Sequence, residues 1–322
     1  MRRPRFTPPL PRHLAARHRA LDAKGSAALR YALSRHYFAG SPPDYLESEA
    51  GRRDLDDQLV RRLARDRERV IPWLDAARPL DGARVLEIGC GTGCATIALA
   101  EQGSSVTALD LCERSVQVAR RRCELYGVDA SFVVGNAIEV LDKLEGERFD
   151  FVIFFASLEH MTFAERKPAM RRAWELLAPG DLWCVVETPN RLWFHDAHTS
   201  LLPFFHWLPD EVAFEYSRMS PRESVRERYR ELDEQALLHF LRRGRGVSYH
   251  DFELAIGSAR RLDVVSSLTH FHRDRHRFPL LSWLRRRRST AFRYERLLAQ
   301  IAPDLHPGFL QPDLDLVIRK PG

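Results

Sequence analysis

The stretch Val85 to Gly103, VLEIGCGTGCATIALAEQG, runs a buried-looking strand into a turn with glycines at Gly89, Gly91 and Gly93. A helix-forming segment follows. Glycine lets a backbone turn sharply and approach a ligand closely, and the first N–H groups of a helix have no intrahelical partner. Four readings suit such a turn: a dinucleotide, a nucleoside sulfonium, a phosphate, or a tight turn with no ligand. A dinucleotide fingerprint would place its third glycine where Cys94 stands, and the Gly-Lys-Ser/Thr ending of a phosphate loop is absent.

A second set of residues could move protons. His160 lies in SLEHM, and His195, His198 and His206 lie in ETPNRLWFHDAHTSLLPFFHWLP among Trp193, Phe194, Phe204, Phe205 and Trp207. An imidazole with a pKa of about 6.5 suits a general base near neutral pH. His160 and His198 are the favoured bases. His198 is preferred over His195 because the Thr-Ser turn after it could aim it inward. The competing reading makes Glu159-His160 a local packing pair and the aromatic stretch a hydrophobic lid. The run Arg285 to Arg288 follows FPLLSWL. It reads as a solvated helix end, or as a contact for an anionic acceptor, a phospholipid surface or a glycan-lipid phosphate.

These residues need elements to hold them. Residues 1–20 are rich in Arg and Pro and read as a basic flexible tail, and residues 21–80 as a helical region with apolar residues at helical spacing. Strands and helices then alternate over 81–190: RVLEIGC, SVTALDL, ASFVVGNA, FDFVIFFAS and DLWCVVETPN are strands, with helices between them. That alternation implies a parallel sheet with right-handed crossovers. Residues 191–247 break the pattern and read as a cap over an acceptor site, an aromatic segment followed by one charged helix around Ser224 to Leu241. Residues 248–322 return to the core with RLDVVSSL and DLDLVIRKP as strands, around a basic helical insertion at 269–312. The expected fold is an α/β, Rossmann-like, doubly wound and mostly parallel seven-stranded sheet with N-terminal helices and a cap insertion.

The pattern Glu87-x-Gly89-x-Gly91-x-Gly93 resembles the first motif of the class I S-adenosylmethionine-dependent methyltransferases. The order of later elements extends the resemblance over Val85 to Met161. Asp110 ends the second strand where that family grips both ribose hydroxyls. Asn136 in VGNAIEV stands where the family has an Asp that reads the adenine edge. FDFVIFFASLEHM aligns with the fourth strand and its Leu-Glu-His ending. The resemblance implies S-adenosylmethionine as cofactor, with Glu87, Gly89, Cys90, Gly91, Gly93, Asp110, Leu111, Asn136, Ala137 and Phe155 around it. It implies methyl transfer to an oxygen or nitrogen of a small-molecule acceptor: a natural product, a glycan or a lipid-linked compound. An RNA or protein acceptor, or a cofactor-binding protein without transfer, are the alternatives. The FFAS segment lacks the Asp/Asn-Pro-Pro-Tyr/Phe of adenine-N6 enzymes. In similar ubiquinone-biosynthesis O-methyltransferases an acidic residue three before the final Glu helps bind a divalent metal. Ala156 stands there, so no metal is expected. Pro-Asn-Arg, His-Thr and His-Trp-Leu-Pro in 189–209 also resemble a bacterial group of methyltransferase-like proteins.

Bulk properties agree with a globular enzyme. The chain has 322 residues, 44% hydrophobic and 29% charged, which is enough for a sizeable core. The net charge of +6 is spread among acidic neighbours, as in RRDLDDQLVRRLARDRERV, so it argues for solvated helix faces rather than nucleic-acid binding. Five cysteines form no C-x-x-C pair. No apolar run reaches the roughly 20 residues of a membrane helix and no secretory leader is evident, so a cytoplasmic setting is expected.

Overall fold

A computed structural model describes residues 10–275 and 289–322. The Arg285–Arg288 run lies outside the described residues. Seven strands are present: β1 (Arg84–Ile88), β2 (Ser105–Asp110), β3 (Ser131–Val134), β4 (Phe151–Phe155), β5 (Leu182–Pro189), β6 (Asp263–Ser267) and β7 (Asp313–Arg319). They form one sheet in the order β3-β2-β1-β4-β5-β7-β6. The sheet is mostly parallel, as β1, β2 and β3 are, while β6 and β7 pair antiparallel. The expected fold class stands. The described residues divide into two compact units, which are taken in turn.

The first, here the glycine-turn unit, comprises 10–153 and 176–183. Its strand β1 is buried from Val85 to Ile88, apolar but for Glu87. The helix Cys94–Ala100 is buried along nearly its whole length. The helix Glu113–Tyr126 ends on Gly127 in the left-handed conformation. Two helical stretches precede β1. Ala23–Ala32 starts where the Asp22 side chain accepts from Gly25 N–H, and the second runs from Glu49 to Ala77 through two widened turns. Arg122, wholly buried, ties this second stretch to the glycine turn: its guanidinium donates to Gln58 O at 2.9 Å and Thr92 O at 2.8 Å. Residues 10–20, expected as part of the tail, carry the short helix Arg12–Ala15, and Arg17 donates to Asp81 at 2.7 Å.

The second, the histidine unit, comprises 154–175 and 184–322 among the described residues. Its segment 191–247 leaves and returns at one place: Arg191 N–H donates to Val247 O at 2.8 Å, and Val247 N–H to Pro189 O at 2.9 Å. Between these ends it has a core of its own, with Leu202, Phe205, Ala213, Phe214, Val225, Tyr229 and Phe240 buried together. The charged stretch near 224–241 was expected as one helix. It forms two, Glu223–Arg226 and Glu234–Arg242, because the chain between them turns to bury Tyr229 against Phe214 and Phe240.

Candidate active site

In the glycine-turn unit the loop after β1 is anchored by backbone bonds. Gly89 and Cys90 N–H groups both donate to Leu109 O, at 2.8 and 3.1 Å. Gly91 and Gly93 have positive φ, +50° and +81°, but differ in surroundings. A Cβ on Gly93 would lie 2.8 Å from Ala119 Cβ, so this glycine lets the turn pack on the next helix. A Cβ on Gly91 would meet nothing within 4 Å, so this glycine borders open space. Asp110 stands beside it. Its Oδ2 accepts from Gly91 N–H and its Oδ1 from Cys112 N–H, both at 2.8 Å. Each oxygen keeps a second lone pair.

Glu87 is wholly buried below the turn. Thr96 Oγ1 donates to its Oε2 at 2.6 Å, while its Oε1 has no hydrogen-bond partner. Burial pushes its carboxyl up to about 7, and Asp110 adds to the shift. The Cys90 thiol is pushed far up by burial, so it lines the turn as an inert group. Leu111 is exposed. Asn136 Oδ1 accepts from Ile138 N–H at 2.9 Å and starts the helix Ala137–Lys143, of which Ala137 is the first residue. Phe155, at the end of β4, belongs to the histidine unit and is buried.

The histidine unit gathers a different set. Past β4 the chain takes a left-handed turn at Ala156 (φ +43°) and enters the short helical turn Leu158–His160. His160 Nε2 and His198 Nε2 lie 3.8 and 3.7 Å from Oε1 of the buried Glu159. The two imidazole rings are 5.4 Å apart between centroids. Burial raises the Glu159 carboxyl above its usual range. Burial and then the neighbouring His160 push the His198 imidazole down to about 4, leaving it neutral at pH 7. His195 is exposed and outside this cluster. His206 is buried in a supporting role, with its Nε2 3.2 Å from Asp196 Oδ1.

Asp196 shapes the loop that presents His198. Its carboxylate accepts from the N–H groups of His198, Thr199 and Ser200 and from Ser200 Oγ. Burial alone would raise this carboxyl, but His206 and the loop N–H groups hold it well below its usual range.

Residues 85–180 match the family model described as a methyltransferase domain. These residues form a methyltransferase domain. Among curated relatives, the ubiquinone biosynthesis O-methyltransferase of Azorhizobium caulinodans is 34% identical over 135 residues, 42% of this chain and 49% of that one. That of Xylella fastidiosa is 41% identical over 94 residues, 28% and 37% of the two chains. The chain spans about half the length, or less, of these relatives. Magnesium protoporphyrin IX methyltransferase from Synechocystis, solved with bound S-adenosylmethionine, is 24% identical with a TM-score of 0.38, over 53% of this chain and 79% of that one. An amino pentose methyltransferase from Micromonospora echinaspora is 29% identical with a TM-score of 0.30, over 36% and 47%.

The methyltransferase domain match ends before the segment that carries His198. What sequence reasoning missed lies there, in Arg242 to Gly246, which reads as a basic turn. A Cβ on Gly244 would lie 2.8 Å from both His198 Nδ1 and Thr199 Oγ1, so only glycine lets this segment approach the imidazole. Arg245, buried, donates to Phe205 O at 2.9 Å and Leu208 O at 2.6 Å and pairs with Asp210 at 3.1 Å. Arg222 was missed too; its guanidinium donates to the carbonyls of Ala197, His198 and Thr199.

Proposed function

We propose that the protein transfers a methyl group from S-adenosylmethionine to an oxygen or nitrogen atom of a small molecule. The observation that carries this reading is the pairing of Gly91 with Asp110. The turn is open where a Cβ would stand, and the carboxylate beside it is fixed by two N–H groups with one spare lone pair per oxygen. Two spare lone pairs suit the two vicinal hydroxyls of a ribose. The orphaned Oε1 of Glu87 offers an anionic or accepting partner to a cationic ligand. Asn136 keeps one lone pair on Oδ1 for an adenine amino group. The residues therefore fit the cofactor, which supplies a methyl group activated on a sulfonium.

The remaining task is to accept the acceptor's proton, and the Glu159–His160–His198 cluster is the place proposed for it. Relatives named for ubiquinone biosynthesis favour a small hydroxyl-bearing acceptor over a macromolecule. We read 191–247 as the part that shapes the acceptor site, and Arg285–Arg288 as the candidate contact for an anionic group on the acceptor or a lipid. Five free cysteines fit a reducing, cytoplasmic setting.

Calorimetric titration tests the cofactor assignment. Asp110→Ala is expected to weaken S-adenosylmethionine binding by roughly 1–3 kcal/mol, since it leaves hydrogen-bonding groups unpaired. Unchanged affinity in a folded variant would overturn the assignment. Formation of S-adenosylhomocysteine with an acceptor, followed by mass spectrometry, tests transfer itself. With that acceptor, His160→Ala or His198→Ala is expected to lower kcat by roughly 10²–10⁴ while cofactor affinity holds.

A further inference from the structure

The hydrogen bonds around the histidine cluster determine where its protons are. His160 Nδ1 lies 2.9 Å from Arg242 O. A carbonyl only accepts, so Nδ1 carries the hydrogen and Nε2 of the neutral ring is a bare lone pair. At His198 the deduction takes one more step. Thr199 Oγ1 donates its single proton to Gly244 O at 2.9 Å, so in its 3.0 Å contact with His198 Nδ1 it must accept. His198 Nε2 is therefore bare as well. The two bare nitrogens lie 3.8 and 3.7 Å from Glu159 Oε1, beyond hydrogen-bond range. That oxygen is buried with no hydrogen-bond partner, while its sister Oε2 accepts from Thr188 Oγ1 at 3.3 Å.

Three electron-pair donors thus converge with no hydrogen among them, all within 4.8 Å of one another. We propose that Glu159, His160 and His198 form a binding site for a divalent transition-metal ion such as Zn²⁺, Mn²⁺ or Co²⁺. Two imidazoles and a carboxylate are the donor set of open metal sites that keep a position for a further ligand. Tetrahedral bonds of about 2.0–2.2 Å put ligand atoms roughly 3.3–3.5 Å apart, so the observed spacing needs a contraction of a few tenths of an ångström. Each Nδ1–H is anchored to an oxygen, the outer arrangement that orients a metal-binding imidazole. Glu159 is fully buried, whereas His160 and His198 remain 41% and 33% exposed, so the open side faces solvent.

Ala156, which argued against a metal, is bypassed because His198 supplies the third ligand from another segment. Use of the ion to ease passage of a coordinated acceptor hydroxyl's proton to bulk water, in place of its uptake by the two imidazoles, rests on the methyl-transfer reading. Binding of the ion does not.

The test is titration of chelator-treated full-length protein with ZnCl₂ and MnCl₂, without cofactor or acceptor, and the visible spectrum of the Co²⁺ form. One ion per chain is expected. His198→Ala and Glu159→Gln should each weaken binding by about 100-fold, more than loss of a typical outer partner does, and change the Co²⁺ spectrum. The exposed His195→Ala should bind as wild type. The proposal is overturned if wild-type protein binds none of the three ions. It is equally overturned if His198→Ala, shown folded by circular dichroism, binds as tightly as His195→Ala. Titrating the wild-type protein with S-adenosylmethionine separates the two readings: cofactor binding with no metal binding sinks the metal site alone, and the converse sinks the cofactor assignment alone.

Discussion

The glycine-turn unit and the histidine unit build binding groups by opposite means. In the first, the backbone does most of the work: Gly91 leaves space, N–H groups of Gly91 and Cys112 fix Asp110, and all of this falls within a short span of chain. In the second, side chains from separate segments meet, and each is aimed by a carbonyl, a hydroxyl or a carboxylate from somewhere else. The difference shows in their buried carboxylates. Glu87 accepts one hydrogen bond and is pushed up to about 7, whereas Asp196 accepts four and faces His206 and is held low. A backbone site tolerates a half-satisfied acid. In the histidine unit the acid that shapes the His198 loop is fully satisfied, while the acid inside the cluster, Glu159, keeps Oε1 unpartnered as Glu87 does.

The largest effect that probes this contrast is expected from Asp196→Ala. It leaves three loop N–H groups and the buried His206 without their partner, which should lower the unfolding free energy by roughly 3–5 kcal/mol. Chemical denaturation checks this, and a loss under about 1 kcal/mol would mean that the loop holds itself without its acid. Asp196→Asn should recover only part, since an amide replaces one accepting oxygen with a donor.

Glu87→Gln makes the reverse case. Its folded-state pKa of about 7 lies above the ordinary 4.5, so the unfolded chain loses this proton first as pH rises. The stability contributed by the neutral carboxyl is full below about 4.5 and is lost by about pH 7, on the order of 3 kcal/mol in all. Glu87→Gln removes that pH dependence. Subtracting the stability profile of the variant from that of wild type should give a curve falling between pH 4.5 and 7 and flat above. A flat difference throughout would show that the carboxyl is not buried as described.

Two glycines of one turn make the last comparison, and the smallest effect of all is expected at Gly91. Gly91→Ala, with positive φ but open space, should cost roughly 1–2 kcal/mol of stability and still weaken cofactor binding. Gly93→Ala adds a steric conflict with Ala119 and should cost about 1–3 kcal/mol more. Thermal melts of the pair order them, and equal losses would mean that Ala119 yields to the added methyl.

The same contrast decides what could be read from the sequence. The strand, the turn and Asp110 were legible because their requirements are local: buried strands are apolar, tight turns use glycine, and the acid sits at a strand end. The histidines were legible as four candidates with His160 and His198 favoured, the choice of His198 over His195 resting only on the turn that follows it. Which two meet depends on Arg242 O and Gly244 O, carbonyls that carry no residue-type signal. The need for glycine at Gly244 appears only once His198 is known to lie against it. The helix expected across 224–241 failed for a similar reason. Its charge pattern is helical, but the burial of Tyr229 breaks it, and burial is set by residues far along the chain.

The segment 191–247 departs and rejoins through hydrogen bonds between neighbours, Arg191 with Val247 and Val247 with Pro189, and it packs around its own apolar residues. A segment closed at its base in this way behaves as a cassette: lengthening, shortening or replacing it leaves β5 and the later strands their own hydrogen bonds. Glu159 and His160 stay with the strand scaffold, but His198 travels with the cassette. Exchange of that one piece between related chains would therefore change the proposed acceptor wall and the third metal ligand in a single event, leaving the glycine turn as it was.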